Sequence, residues 1–113
     1  MKHSLPKYLE DVRLSIIDIE SYIVNISSAK EIEQNQLLLD ALCRRFSIIG
    51  EALYKANKID DDLSITDKRK IIALRHIIIH EYDIVSPGDL WVIIVNKLPV
   101  LKKEVEDILK RFE

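Results

Sequence analysis

An all-α domain, a bundle of four to five helices running up and down, is what three features of this chain predict. Its 113 residues are 48% hydrophobic and 32% charged, with only 2 Gly and 3 Pro, the balance of a helical globular protein rather than a disordered or disulfide-stapled one. Apolar side chains recur at three- and four-residue spacing in four segments that cover nearly the whole sequence. No repeat, low-complexity tract or long linker divides it, so residues 1–113 are read as a single domain. At that length a core forms, yet burying a further face against a partner still helps.

The first helix is predicted from about Pro6, a residue suited to an opening turn, through Leu9, Val12, Ile16, Ile19, Ile23 and Ile26, with Ser27 and Ser28 at its end. A second runs from about Glu31 to Ala56 on the stripe Leu38, Leu42, Phe46, Ile49 and Leu53, with Asn57 as its stop. Thr66 or Asp67 can cap a third. The fourth opens at Ser86-Pro87-Gly88-Asp89 and carries Trp91, Ile94, Leu98, Leu101, Val105 and Ile108, and Pro99 should kink or split it.

The third segment is rich in β-branched residues, Ile71, Ile72, Ile77, Ile78 and Ile79, which also suit a buried strand. A helix is preferred because no other segment offers a strand to pair with. As a helix its apolar arc covers about 220°, more than the roughly 100° that one core requires. Such a helix has two sides to bury. Either a twofold copy of the chain covers the second, making a homodimer through this helix, or the fourth helix of the same chain does.

A formal net charge of −2 gives no overall attraction to phosphate, so any nucleic-acid contact must come from a local patch. Cys43 is alone and cannot form an intramolecular disulfide. The N-terminus, interrupted by Lys2, Pro6 and Lys7, lacks a signal-peptide core, and the longest apolar runs are too short to span a bilayer. A cytoplasmic protein with no membrane partner is expected.

Chemistry is concentrated in the third helix, where Arg75 and His80 stand five residues apart and Tyr82 follows two further on. Arg75 falls among Ile71, Ile72, Ile78 and Ile79, and a guanidinium in apolar surroundings needs a partner. Tyr82 lies about 20° from Arg75 around a helix, whereas His80 lies about 140° away. The arginine and histidine therefore converge only if the last turn loosens or a second copy completes the site. The alternative is structural: an arginine paired with a core carboxylate and a histidine bonded to the backbone.

Glu51 follows Gly50, which permits close approach of another backbone, on the polar stripe Arg44, Ser47, Glu51. It either orients Arg75 across the helix interface or is an ordinary solvated glutamate. His76 and His80 have the spacing of helical zinc ligands, but a third ligand is missing and no HExxH is present. No metal and no cofactor are expected.

The segment Ile72-Ala-Leu-Arg75-His-Ile-Ile-Ile-His80-Glu-Tyr82, with Ile48-Ile-Gly-Glu-Ala52 before it and Leu90-Trp91 and Leu98-Pro99 after it, resembles the HepT-like proteins of the HEPN superfamily. The resemblance runs from the second helix to the end. It implies a dimerising helical bundle whose paired RxxxxH motifs line a cleft, and a metal-independent endoribonuclease. It also implies the toxin of a type VII-like toxin-antitoxin pair, whose partner, a small MNT-type nucleotidyltransferase, neutralises it by AMPylating the motif tyrosine. Carried over by position, Arg75 and His80 are the catalytic residues, Tyr82 is the AMPylation site, and Glu51 and His76 support. The chain departs from the family pattern at His76, where an Asn commonly follows the motif arginine. It departs again at Asp67-Lys68-Arg69, where an aromatic-basic pair is often found.

The residues suit the implied reaction. Cutting RNA requires a 2′-hydroxyl to lose its proton, a phosphorane to be stabilised and a 5′-oxygen to gain a proton. Histidine moves protons near neutral pH, and arginine grips phosphate oxygens through a planar fork. DNA, without the 2′-hydroxyl, escapes this route. A non-catalytic module that holds RNA or a nucleotide would use the same side chains.

Overall fold

The computed structural model describes residues 4–81, 83 and 85–113. Six α-helices form among them, α1 (Leu5–Tyr22), α2 (Ala29–Glu33), α3 (Gln36–Ile59), α4 (Lys68–His80), α5 (Pro87–Asn96) and α6 (Leu98–Leu109), closed by a 3-10 turn at Lys110–Phe112. The architecture is the all-α bundle that the periodicity predicts, with more breaks, and it is consistent with the HEPN-like fold that the resemblance implies.

α1 starts with Pro6 in its first turn and buries Leu9, Val12, Ile16 and Ile19 completely or nearly so. It stops at Tyr22 rather than reaching Ile26. The reason lies just beyond, where the Glu31 carboxylate accepts hydrogen bonds from the backbone N–H groups of Ser27 (2.6 Å) and Ser28 (3.0 Å). Those bonds begin a new helix, α2, instead of extending the old one. The predicted second helix is likewise divided, because the Asn35 side chain accepts from the Leu38 N–H at 3.0 Å and caps a fresh start for α3. α3 then continues three residues past the predicted end at Ala56, to Ile59.

Asp67 precedes α4 in the left-handed conformation, φ 57°, which a short polar side chain tolerates. Its carboxylate does not cap the helix. It pairs instead with Lys97 at 2.7 Å, while Glu104 of α6 accepts from the Thr66 backbone and hydroxyl, both at 3.0 Å. Pro99 splits the predicted fourth helix: α5 ends at Asn96, and Pro99 stands in the first turn of α6.

α3 is the central element, packed between α1 on one side and α4 on the other, while α6 lies against α1 and α5 joins α2 to α6. Its buried stripe, Leu38, Leu42, Phe46, Ile49 and Leu53, is the one the sequence marks. Arg45 to Asp18 at 3.1 Å and Lys102 to Glu20 at 3.0 Å clip α3 and α6 to α1. Among the described residues no helix is long and apolar enough to cross a membrane.

Candidate functional site

Gly50 decides where the site forms. A β-carbon built on it would lie 2.9 Å from Arg75 Cβ, 3.0 Å from the Arg75 amide nitrogen and 3.3 Å from the Ile71 carbonyl oxygen. Only a residue without a side chain lets α4 come this close to α3. The contact seats Arg75 directly against the turn of α3 that carries Glu51 and Tyr54, one and four residues after Gly50.

The partner that an arginine among isoleucines needs is therefore supplied across the helix pair. Arg75 Nη1 donates to Glu51 Oε2 at 2.5 Å, and the guanidinium carbon stands 4.5 Å from the centre of the Tyr54 ring. A carboxylate on one edge and an aromatic face on another hold the planar group in one orientation. Glu51 also faces Lys55 Nζ at 3.6 Å. The Arg75 hydrogen bond, and then the charges of Arg75 and Lys55, keep the Glu51 carboxyl below its ordinary range. The same pairing raises Arg75, so it stays a cation throughout the working pH range. Lys58, 4.7 Å from the ring centre of Tyr54, lowers that phenol through its hydrogen bond and charge, with Arg75 adding to the effect.

His80 lies elsewhere. α4 stays helical to His80, and the Glu81 N–H closes on the Ile77 carbonyl at 2.8 Å, so the final turn does not loosen to swing the histidine towards Arg75. His80 is exposed and packs against His76, ring centres 4.5 Å apart and planes tilted by 46°. Among the described residues no third His, Cys, Asp or Glu joins the two imidazoles; the carboxylates that do cluster, Asp60, Asp61 and Asp62, form an exposed group of their own. Tyr82, the expected modification site, lies outside the described residues.

The apolar arc of α4 is only half used. Ile71 and Ile78 are buried and Ile72 and Leu74 are half-buried, but Ile77 is 36% and Ile79 61% exposed. α5 comes up to α4 around Ile71, Leu74 and Ile93, where a small apolar cleft of about 160 Å³ remains. It does not cover Ile77 or Ile79.

Beside Arg75 a groove of about 320 Å³ runs between α1, α3 and α4, lined among others by Asp11, Arg44, Ser47, Glu51, Lys55 and Ile79. Sequence reasoning found Arg75 and Glu51 but passed over Tyr54. The signal was present: Tyr54 follows Glu51 by three residues and Gly50 by four, which places all three on one face of α3.

This geometry sits within a chain that matches known proteins over most of its length. A family profile described as "Ribonuclease HepT-like" covers residues 12–108. A Methanocaldococcus jannaschii protein named "Putative RNase MJ1380" is 30% identical over 93% of this chain and 96% of its own length. A second from that organism, "Putative RNase MJ0125", is 29% identical over 96% and 98%. "Putative RNase TTE0752" of Caldanaerobacter subterraneus subsp. tengcongensis is 31% identical over 74% of this chain and 76% of its own. No solved structure matches. With its profile match spanning α1 to α6, and the motif arginine and histidine within that span, the chain belongs to the ribonuclease HepT-like family of HEPN proteins.

Proposed function

We propose that this protein is a metal-independent endoribonuclease whose site is completed between two copies of α4, and that it acts as a toxin silenced by AMPylation of Tyr82. One observation carries the reading: Arg75 is committed to α3 by Glu51 and Tyr54, while His80 faces outward from an unbroken helix about 140° away. A single chain keeps its anion clamp and its proton carrier apart. A second chain laid against the exposed Ile77 and Ile79 brings a histidine towards a partner's arginine, and burying those side chains favours the pairing.

In such a site one His80 takes the proton from the 2′-hydroxyl, whose oxygen attacks phosphorus. The Arg75 guanidinia stabilise the charge on the non-bridging oxygens. The bond to the 5′-oxygen breaks as a proton reaches it from the second imidazole, leaving a 2′,3′-cyclic phosphate and a 5′-hydroxyl. His76, against His80, supports it. Regulation follows from the neighbourhood. Transfer of AMP from ATP to the Tyr82 hydroxyl, with release of pyrophosphate, adds a negative charge and a bulky base two residues after His80 in the chain and closes the site to RNA. The partner that performs it is an MNT-type nucleotidyltransferase.

The test uses a labelled single-stranded RNA and the same sequence with 2′-deoxy sugars, each incubated with purified protein in chelator. The RNA is cut to cyclic-phosphate ends and the deoxy strand survives. Binding without cutting would make the protein a non-catalytic module. Co-expression with the partner nucleotidyltransferase and peptide mass mapping then place AMP on the Tyr82 peptide and none on Tyr8, Tyr22 or Tyr54, with neutralisation lost in Tyr82→Phe.

A further inference from the structure

The groove beside Arg75 carries an excess of positive charge that the reaction just described does not use. Arg44, Lys55 and Arg75 line it against two carboxylates, Asp11 and Glu51. Asp11 is taken by Lys7 at 2.5 Å, a residue outside the groove. Glu51 is shared between Lys55 and Arg75, one carboxylate for two cations. Arg44 is exposed and makes no ion pair or hydrogen bond among the described residues, although its neighbour Arg45 is paired with Asp18. On a chain of net charge −2, a concavity with surplus cations on a rigid helix is suited to an anion.

We propose that Arg44, with Ser47, forms a second phosphate-holding station, which grips the backbone of a single-stranded RNA next to the bond being cut. The inference deepens the ribonuclease reading and rests on it. Arg44 and Glu51 are seven residues apart, about 10 Å along α3, so Arg44 and Arg75 meet different phosphates of one strand. The stripe Arg44, Ser47, Glu51, Lys55 follows one face of the helix and gives the strand a straight path to the Arg75 cradle. A groove of about 320 Å³ holds a short stretch of one strand, far less than the roughly 16 base pairs that duplex-reading modules span. Backbone contacts carry no sequence information. The station therefore sets affinity and register, and leaves base preference to other contacts.

The experiment measures fluorescence anisotropy of a 2′-O-methyl RNA, which cannot be cut, over a salt series with wild type, Arg44→Gln and Arg111→Gln. The last makes the same charge change at a residue that does not line the groove. Arg44→Gln should weaken binding up to about fivefold and reduce the salt slope by about 0.7, whereas Arg111→Gln binds as wild type does. On cleavable RNA, Arg44→Gln raises KM and keeps kcat. If the two variants bind alike, the station does not exist, even where cleavage is robust. If Arg44→Gln alone loses affinity although no variant cuts RNA, the station stands and the catalytic reading falls. Titration with AMP is the second arm: loss of AMP affinity in Arg44→Gln with RNA affinity unchanged would assign the groove to a mononucleotide and overturn the proposal.

Discussion

Arg75 Nη1 and Glu51 Oε2 meet at 2.5 Å across the α3–α4 seam, although 24 residues of chain separate them. Glu51 takes one nitrogen of the guanidinium and Tyr54 offers only a face, so its other donors make no hydrogen bond to a described residue.

Arg75→Ala and His80→Ala should each abolish RNA cleavage with the fold intact. Removing a proton-transfer group typically costs about 10²- to 10⁴-fold, which a single-turnover assay resolves easily. Circular dichroism and thermal melting of the same preparations establish that structure survives. Cleavage that persists in both variants would place the chemistry elsewhere.

Gly50→Ala should be harmful although alanine favours helices by up to about 1 kcal/mol. The new methyl meets Arg75 Cβ and backbone at 2.9 and 3.0 Å, atoms that no rotamer change can move. Overpacking of this kind costs about 1 to 3 kcal/mol, so urea unfolding should show a net loss and cleavage should fall as Arg75 is pushed away. A variant at least as stable as wild type would mean the seam is looser than this geometry.

Glu51→Gln tests the ion pair through pH. A carboxylate whose folded pKa lies below its ordinary value of 4.5 stabilises the fold fully above that value, and the contribution disappears as pH falls through the folded pKa. The stability gap between wild type and Glu51→Gln should thus be constant from pH 7 to about 5 and close below pH 4.5. A gap that does not change with pH would show that the pair contributes nothing measurable.

Tyr54 is assigned a positioning role by its ring over the guanidinium. Tyr54→Phe keeps the aromatic face and should retain cleavage. Tyr54→Leu removes it, and the loss of about 0.5 to 1 kcal/mol at an exposed cation–π contact should lower kcat by about two- to fivefold with little change in KM. Equal activity in the two variants would reduce Tyr54 to packing.

Ile79→Asp addresses assembly. Ile79 is 61% exposed in the single chain, so a charge there costs the monomer little, whereas it would sit unpaired in a twofold contact. Light scattering should show a dimer for wild type and a folded, inactive monomer for the variant. A wild type that is monomeric and active would remove the composite site.

Much of this was legible beforehand, and the gaps have identifiable causes. The core stripes of α1 and α3 could be read because burial on one face imposes a 3.6-residue period. Helix ends could not, since the break at Asn35 and the early end of α1 depend on single side-chain bonds, Asn35 to Leu38 and Glu31 to Ser27 and Ser28, that periodicity does not register. Arg75 announced its need for a partner by standing among isoleucines. That Glu51 would be that partner turned on Gly50, and Tyr54 escaped because a tyrosine on a helix face is ordinary until a cation is placed above it.

The way α4 is fastened has a further consequence. Its first end is tied down, by Asp67 to Lys97 and by Thr66 to Glu104, and its middle by Gly50 and Glu51, whereas its last turn has only Ile78 buried before His80. Helices unravel from their least anchored end. Fraying of α4 would therefore remove the histidine first and leave the arginine in its cradle, which on the proposed reading is a state that still grips RNA but no longer cuts it. Amide hydrogen exchange should reveal this as faster opening at Ile79 and His80 than at Ile71 and Ile72.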